Sequence, residues 1–308
     1  MVKFKSLIDL LIALPNEQDC IDYLERYRWN GKIISPFDPT SKVYKCKSRK
    51  NWYKCRNTNK YFNVKTGTIF ENSKIPLQKW LWALFAFSSD KKGISSYQLA
   101  RYLGITQKSA WFMLHRSRYT FDQSSFIKEM LKGVVEIDEM FIGGKNKNRH
   151  WNKKIPHSQG RSCKDKIPVW GAVGKDSGNL IARATSDNKQ STLVSLVRNN
   201  IKEGSSIYSD ELPAYEILGK WYNHEIVNHK AKQYVNGKVS TNTIESAWAP
   251  FKRSIYGNYH NISRKHAQRY IDEITFRHNT RKYEEKERFD LVLLSSIEKR
   301  LTYQQLIN

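Results

Sequence analysis

The segment that begins at Gly133 most constrains the fold, because short strand-like runs follow one another there at close spacing. Residues 134–144, 168–173 and 179–185 are rich in β-branched and apolar residues, and Gly or polar turns bound each run. A helical pattern follows over residues 191–204 and ends at a Gly. Two further strand-like runs come next, and then a long helix that begins near Thr243. This succession of strand-like and helical runs predicts an α/β unit with a mixed sheet flanked by helices.

Three acids occupy positions that such a sheet would bring together. Asp138 lies in the first strand, Asp210 ends a later strand, and Glu245 lies in the first turn of the following helix. Singly, each acid is typical of a strand end or a helix cap. As a set they offer the oxygen ligands that Mg²⁺ or Mn²⁺ prefers, and two such ions can stabilise both oxygens of a phosphoryl displacement. Glu136 shares the sheet face of Asp138 and is either a supporting partner or the true ligand.

The charge of the chain indicates the class of its partner. The 308 residues include 53 Lys and Arg but only 29 Asp and Glu. The resulting net charge of +24 indicates a polyanionic partner, with nucleic acid as the first choice. The alternative is a generally solvated basic surface. Residues 145–166 form a strongly basic stretch without periodicity, which predicts a mobile DNA-binding insertion.

The N-terminal third combines short helices with a small β-ribbon. Apolar spacing between Lys3 and Arg28, interrupted at Pro15, predicts two short helices. The stretch from Val43 to Phe70 predicts an antiparallel ribbon in which basic residues alternate with aromatic residues. We expect most of these rings to form a small core and some of the charges to contact DNA.

A helix-turn-helix layout is predicted after the apolar segment 77–87. Ser95 or Ser96 caps a first helix, Gly104 supplies the turn, and Thr106 caps a second helix that would enter a major groove. Two helices joined by a Gly also occur in ordinary bundles. The polar residues available for DNA contact on the second helix are Lys108, His115, Arg116 and Arg118.

The sequence contains no apolar run near the ~18 residues of a membrane span and no signal-like cleavage site at its start. We therefore expect a cytoplasmic, nucleoid-associated protein without a membrane partner. Four cysteines without paired spacing predict free thiols and no structural disulfide; they are Cys20, Cys46, Cys55 and Cys163.

Ordered motifs over nearly the whole chain resemble the DDE transposases of bacterial insertion sequences, in the ISXO-like group. The motifs are YLERYRW, YFNVKTGTIFE, EIDEMFIGGK, PVWGAVGKDSG, YSDELPAY, NTIESAWAPFKR, HNISRKHAQRYIDEITFRHNTR and RLTYQQL. The resemblance implies a ribonuclease-H-like catalytic domain whose acidic triad is Asp138, Asp210 and Glu245, holding two divalent ions. A basic residue seven positions after the last acid is Lys252, which with Arg253 is expected to contact DNA.

The same resemblance implies two Cys-x-x-Cys knuckles in the ribbon, and here the sequence departs from the family. The corresponding positions read Ser35-Pro36-Phe37-Asp38 and Cys55-Arg56-Asn57-Thr58. Only one thiol remains, whereas a closed structural zinc site needs four thiolate or imidazole ligands. We expect no structural zinc ion, and a ribbon held by its aromatic residues instead.

The function implied is metal-dependent cleavage of DNA at insertion-sequence ends, followed by transfer of the 3′-OH into target DNA. The ribbon and the helix-turn-helix would recognise terminal inverted repeats, and a homo-oligomer would hold two ends in a synaptic complex. Two alternatives remain open: a decayed transposase that binds DNA without catalysis, and a ribonuclease-H-like nuclease or resolvase. The expected domains are a helical start and degenerate ribbon (1–75), the helix-turn-helix (76–125), the catalytic domain (130–282) and a helical tail (283–308).

Overall fold

The chain divides into two units in the computed structural model, which describes residues 4–121, 129–144, 146–158, 162–227, 235–236 and 239–308. The first unit combines Met1–Phe121 with Lys282–Asn308, and the second is Asp122–Arg281. Among the described residues, no helix has both the length and the apolar character needed to cross a bilayer.

The first unit begins with the two predicted helices, α1 (Leu7–Ala13) and α2 (Glu17–Trp29). The apolar helix α3 (Leu77–Ser89) packs against both. Its N-cap is Pro76, which has no side-chain acceptor to offer. The Glu17 carboxylate replaces it by accepting the backbone N–H groups of Leu77 and Gln78 at 2.8 and 2.9 Å. A distant side chain thus satisfies the exposed donors of the helix start.

The ribbon consists of three short antiparallel strands, β1 (Val43–Lys45), β2 (Tyr53–Cys55) and β3 (Tyr61–Phe62). Tyr53 and Phe62 are buried in its core as predicted, whereas Tyr44 and Tyr61 are about half exposed, so the prediction that most of the rings form the core is wrong for these two. The rings of Trp29, Tyr53 and Phe62 lie within 5.6 to 6.1 Å of one another and are buried. Edge-to-face packing of this kind stabilises a small sheet that is too short to do so through its ladder alone.

Helices α4 (Ser96–Leu103) and α5 (Gln107–Arg118) occupy the segment predicted as a helix-turn-helix. Ser95 and Thr106 cap them through hydrogen bonds to backbone N–H groups. Gly104 adopts φ 58°, a left-handed conformation in which a Cβ would be strained. The two helices and their turn are therefore present where the sequence places them.

The C-terminal segment belongs to the first unit and is not a separate tail. Its helices are α9 (Glu285–Ile297) and α10 (Tyr303–Ile307), numbered after the helices of the second unit. Phe289 of α9 packs against Phe4 and Phe85, at centroid distances of 5.3 and 6.0 Å. The strongly charged segment 283–288 mostly forms the first turn of α9. Glu284 and Glu287 make a capping box there, so their charges start a helix.

The second unit contains a five-stranded mixed sheet with the spatial order β6-β5-β4-β7-β8. Its strands are β4 (Val134–Ile142), β5 (Ile167–Gly174), β6 (Leu180–Ala184), β7 (Ser206–Asp210) and β8 (Asn223–Val227). The first three pair antiparallel, whereas β7 is parallel to both β4 and β8. This arrangement is compatible with the predicted ribonuclease-H-like sheet.

Helices cover both faces of this sheet. Helix α6 (Gln190–Asn200) packs over Ile137 and Trp170 on one face. Helices α7 (Asn242–Ser254) and α8 (Ala267–Asn279) pack over Met140 and Val169 on the other. Helix α6 ends at Asn200, earlier than Gly204, the predicted end. A two-residue ladder between β9 (Val235–Asn236) and β10 (Val239–Ser240) precedes α7.

Candidate active site

Two of the three predicted acids lie on neighbouring parallel strands. The register pairs Glu136 of β4 with Tyr208 of β7. Asp138 and Asp210 each follow two residues later, so the pleat brings both to the same level and the same face of the sheet. Asp210 is buried, and its Oδ1 accepts the N–H of Leu212 at 3.1 Å.

The Asp138 carboxyl is held by a tryptophan that the sequence reasoning did not single out. Trp248 of α7 donates from Nε1 to Asp138 Oδ2 at 3.0 Å. Gly171 of β5 lies directly across from Asp138 in the antiparallel register. A Cβ at Gly171 would fall 2.6 Å from Trp248 Cζ2, so only Gly leaves room for the ring. The motifs PVWGAV and SAWAP contain these two residues, but no local pattern links them.

The environment of Asp138 favours its neutral form. Burial raises the pKa of Asp138 to about 6, and the nearby charges of Asp210 and Glu245 add to this rise. The hydrogen bonds from Trp248 and from the backbone of Glu139 act in the opposite direction. The three acids are therefore electrostatic neighbours whose repulsion a divalent cation would relieve.

The donor chemistry of the three acids fits Mg²⁺ or Mn²⁺, because all three contribute hard carboxylate oxygens. Within the described part of the chain, however, no three His, Cys, Asp or Glu side chains converge closely enough to form a ready-made ion site. Glu245 is exposed in the first turn of α7, where its Oε1 accepts from Thr241 Oγ1 at 3.1 Å. The arrangement thus supplies suitable ligands without a completed coordination shell.

Glu136 has a supporting role in this structure. Its buried carboxylate accepts the backbone N–H groups of Thr243 and Ile244 at 2.7 and 3.0 Å, and the Thr243 hydroxyl at 3.0 Å. Lys175 Nζ lies 3.5 Å away. The N-cap residue of α7 makes no side-chain cap of its own. Glu136 therefore anchors the start of the helix that carries Glu245 to the strand that carries Asp138.

The opposite face of β4 carries Glu139, because successive side chains of a strand alternate between its two faces. Glu139 accepts a hydrogen bond from the hydroxyl of Tyr215, a residue in the segment after Asp210. Burial raises the pKa of Tyr215 well above its usual range, and the charge of Glu139 adds to the rise. Tyr215 thus remains a neutral donor that ties β4 to the chain beyond β7 from behind the candidate site.

The predicted DNA contacts fall into two groups. Lys252 and Arg253 are exposed in the last turn of α7, and Lys108 is exposed in the first turn of α5. Lys252 follows Glu245 by seven positions, which places both on one face of α7 about two turns apart. These three cations remain available for phosphate contact.

Arg116 and Arg118 are buried, and so is His115, which corrects the prediction that they face DNA. The guanidinium of Arg116 donates to the backbone carbonyls of Ile69 and Leu301 at 2.7 and 3.1 Å. It also lies 4.5 Å from the centre of the Phe112 ring. The guanidinium of Arg118 lies over the ring of Phe87. These cations support the packing of the first unit.

The basic stretch after β4 has local order in its described parts. Residues 146–148 and 151–153 form short 3₁₀ turns. The Asn146 side chain makes two hydrogen bonds to the backbone of Ile155, at 2.8 and 3.1 Å. Trp151, the first residue of the second turn, is 86% exposed. The expected mobile insertion is thus a loop with internal hydrogen bonds in the residues that the structure describes.

The positions that correspond to the zinc knuckles are joined by hydrogen bonds. Burial raises the pKa of Cys55, but hydrogen bonds with Ser35, Ser41 and Thr58 outweigh it and bring the pKa to about 6. Asp38 accepts from the Asn57 amide at 2.7 Å. One thiol, one carboxylate and hydroxyl groups do not match the thiolate and imidazole ligands of a structural zinc site.

Comparison with known proteins identifies relatives among mobile elements. Residues 130–279 match the ISXO2-like transposase domain family. An uncharacterized protein in transposable element ISH50 of Halobacterium salinarum is 26% identical over 241 residues, which cover 75% of this chain and 80% of that protein. The predicted resemblance to insertion-sequence transposases is thereby confirmed.

A solved structure also aligns with part of the chain. It is the cryo-electron microscopy structure of a simian T-cell lymphotropic virus intasome in complex with PP2A regulatory subunit B56 gamma. The match covers 58% of this chain and 63% of that chain, with 11% sequence identity and a TM-score of 0.30. A TM-score this low does not establish a common fold.

Proposed function

We propose, from the match of residues 130–279 to the ISXO2-like transposase domain family, that the chain cuts DNA at insertion-sequence ends and joins the freed 3′-OH to target DNA. The observation that carries the proposal is that Asp138 and Asp210 lie side by side on neighbouring parallel strands, on the same face of the sheet. Glu245 completes the set, on a helix that Glu136 anchors to the same strand.

In this proposal the three acids hold two Mg²⁺ or Mn²⁺ ions, within a ribonuclease-H-like domain. Two bound ions stabilise the attacking and leaving oxygens of an in-line displacement at phosphorus. Trp248 keeps the Asp138 carboxyl oriented toward the site face through its hydrogen bond. Lys252 and Arg253, exposed in the last turn of α7, contact the phosphates that flank the scissile bond.

DNA recognition is assigned to the first unit. The α4–α5 pair acts as a helix-turn-helix, with Lys108 as a phosphate or base contact near the start of α5. The ribbon adds basic side chains that read the terminal inverted repeats with it. We place the working form in the cytoplasm at the nucleoid, as a homo-oligomer that brings two element ends together.

The proposal is tested by incubating the protein with DNA that carries the element's terminal inverted repeats. We expect cleavage at the repeat end and joined products with Mg²⁺, and neither product with a chelator. Asp210→Asn and Glu245→Gln are expected to lower cleavage by at least about a hundredfold, the upper end of the loss caused by removing a residue that only orients a metal ligand. Glu216→Gln is the matched control, because this acid is exposed just beyond Asp210 and outside the triad. Cleavage by the two triad variants at the wild-type rate would refute the site.

A second candidate function, DNA binding without catalysis, is favoured by the altered zinc-knuckle positions. Ser35, Asp38 and Thr58 occupy three of the four places where cysteines are expected. The same assay separates the two functions. Repeat-specific binding without any metal-dependent cutting would support this second candidate, whereas cleavage without joined products would indicate a nuclease or resolvase.

A further inference from the structure

A cleft of about 530 Å³ opens beside the ribbon in the first unit. Aromatic and basic or amide side chains line it together; those that carry the argument are Phe37, Trp52, Tyr61, Asn63, Lys65 and Arg300. The volume exceeds that of a single base, so a nucleotide with its phosphate can enter.

The ribbon divides its aromatic residues between its core and this cleft. Phe62 is fully buried, whereas Tyr61, the preceding residue on β3, is 49% exposed. Phe37 is 39% exposed and also borders the cleft. Large rings are normally buried to remove apolar surface from water, so a group of partly exposed rings around one concavity indicates a ligand surface.

Cations lie against the faces of the same rings. The Arg49 guanidinium is 5.7 Å from the centre of Trp52 and 5.9 Å from that of Tyr61. Lys54 Nζ lies 5.6 Å from the centre of Tyr61, and Lys60 Nζ lies 5.2 Å from that of Phe37. These three cations flank the rings from outside the lining, whose own positive charge comes from Lys65 and Arg300.

Among the residues that the structure describes, Glu71 is the acid in the cleft lining, and it is engaged within the protein. Glu71 accepts the N–H of Gly67 at 2.8 Å and lies 3.1 Å from the Arg300 guanidinium. The Arg300 guanidinium thus partly offsets the negative charge of Glu71. With Lys65 in the lining and the cations that flank the rings, the cleft suits an anion. An aromatic ligand that carries phosphate matches both properties.

We propose that this cleft binds an unpaired nucleobase of single-stranded DNA, with its phosphate against the surrounding cations. This inference rests on the proposed function, in which the ribbon binds DNA. It adds that the ribbon binds an unpaired base as well as the duplex repeat. Bases inside a duplex have no free faces, so rings that line a cleft can stack only on a base that has left its partner. A site for phosphate alone would not need the rings.

The test measures binding of a fluorescent oligothymidine by the full-length protein without divalent metal. Tyr61→Ala is expected to weaken binding by about tenfold, the scale of losing one base–ring stack, whereas Tyr61→Phe retains it. Tyr44→Ala is the matched control, since Tyr44 is 51% exposed on the same ribbon but does not line the cleft. An abasic strand of equal length and charge is expected to bind the wild-type protein about as weakly as oligothymidine binds Tyr61→Ala.

Equal affinity for the thymidine and abasic strands would overturn the proposal and leave a phosphate-only surface. A readout that needs no variant is the fluorescence of a strand with 2-aminopurine in place of one base. Stacking in the cleft is expected to quench it, and an unchanged signal in the bound state would also overturn the proposal. Because binding is measured without metal, loss of cleavage activity alone does not affect these outcomes. Base-dependent binding without cleavage would refute only the proposed catalysis.

Discussion

Gly171 and Trp248 are the residues on which the orientation of the Asp138 carboxyl most directly depends. The tryptophan ring occupies the space above Gly171 and reaches the acid through its indole N–H. Neither residue belongs to the predicted site, yet both lie against its first acid. A substitution at Gly171 should therefore lower the rate of cleavage even though it changes none of the three acids.

Gly171→Ala is expected to displace the Trp248 ring, because the added Cβ would overlap with it. We expect a loss of about 1 to 3 kcal/mol in the free energy of unfolding, the usual range for overpacking, together with slower metal-dependent cleavage. Urea unfolding and the cleavage assay measure the two effects. Gly219→Ala serves as the control, since no atom lies within 4 Å of a Cβ built there. Equal stability of the two variants would contradict the packing argument.

Glu136→Gln tests the anchoring of α7. The Gln carbonyl oxygen can replace Oε2, which accepts both backbone N–H groups, but the Gln NH₂ replaces Oε1, which lies 3.5 Å from Lys175 Nζ. The substitution therefore removes the negative charge at the start of α7 and leaves the Lys175 ammonium facing another donor. We expect about 2 kcal/mol lower stability and a cleavage defect that Mn²⁺ in place of Mg²⁺ does not repair. Glu225→Gln, an exposed acid of β8, should change neither property. A fully stable Glu136→Gln protein would show that the charge of Glu136 does not contribute to anchoring α7.

At the scale of elements, the ribbon depends on hydrogen bonds and rings at the positions where zinc knuckles would lie. Cys55 is bonded to hydroxyl groups, and Tyr53 and Phe62 of the ribbon pack against each other and against Trp29 of α2. Such contacts need no metal to fold.

We therefore expect the purified protein to contain no stoichiometric zinc and to keep its melting temperature when a strong chelator is added. Metal analysis and thermal unfolding measure these two properties. Phe62→Ala, in contrast, should destabilise the ribbon by about 3 to 5 kcal/mol because it empties a packed site. One zinc ion per chain, with unfolding on chelation, would show that the ribbon retains a metal site after all.

The elements themselves were predictable from local pattern, whereas several contacts were not. The caps Ser95 and Thr106 and the turn at Gly104 depend on adjacent residues, and they occur as predicted. Arg116 was misassigned because its acceptors, Ile69 and Leu301, lie far away in the sequence. A basic residue in the last turn of a helix looks the same whether it faces solvent or a carbonyl.

At the scale of the whole molecule, the same limit applies to the site. The succession of strands along the chain and the positions of Asp138 and Asp210 within them followed from alternation and spacing, which are local. The partners that orient the acids, Trp248 and Glu136, depend on how α7 packs across the sheet. That packing brings together residues more than a hundred positions apart, so one sequence gives no direct signal of it.

The central claim is that Asp138, Asp210 and Glu245 form one divalent-metal site. Its most direct test is Mn²⁺ binding to the DNA-bound protein, measured by electron paramagnetic resonance. The account predicts that Asp138→Asn, Asp210→Asn and Glu245→Gln each weaken tight Mn²⁺ binding by at least about tenfold, whereas Glu216→Gln leaves it unchanged. Undiminished Mn²⁺ binding in all three triad variants would contradict the claim.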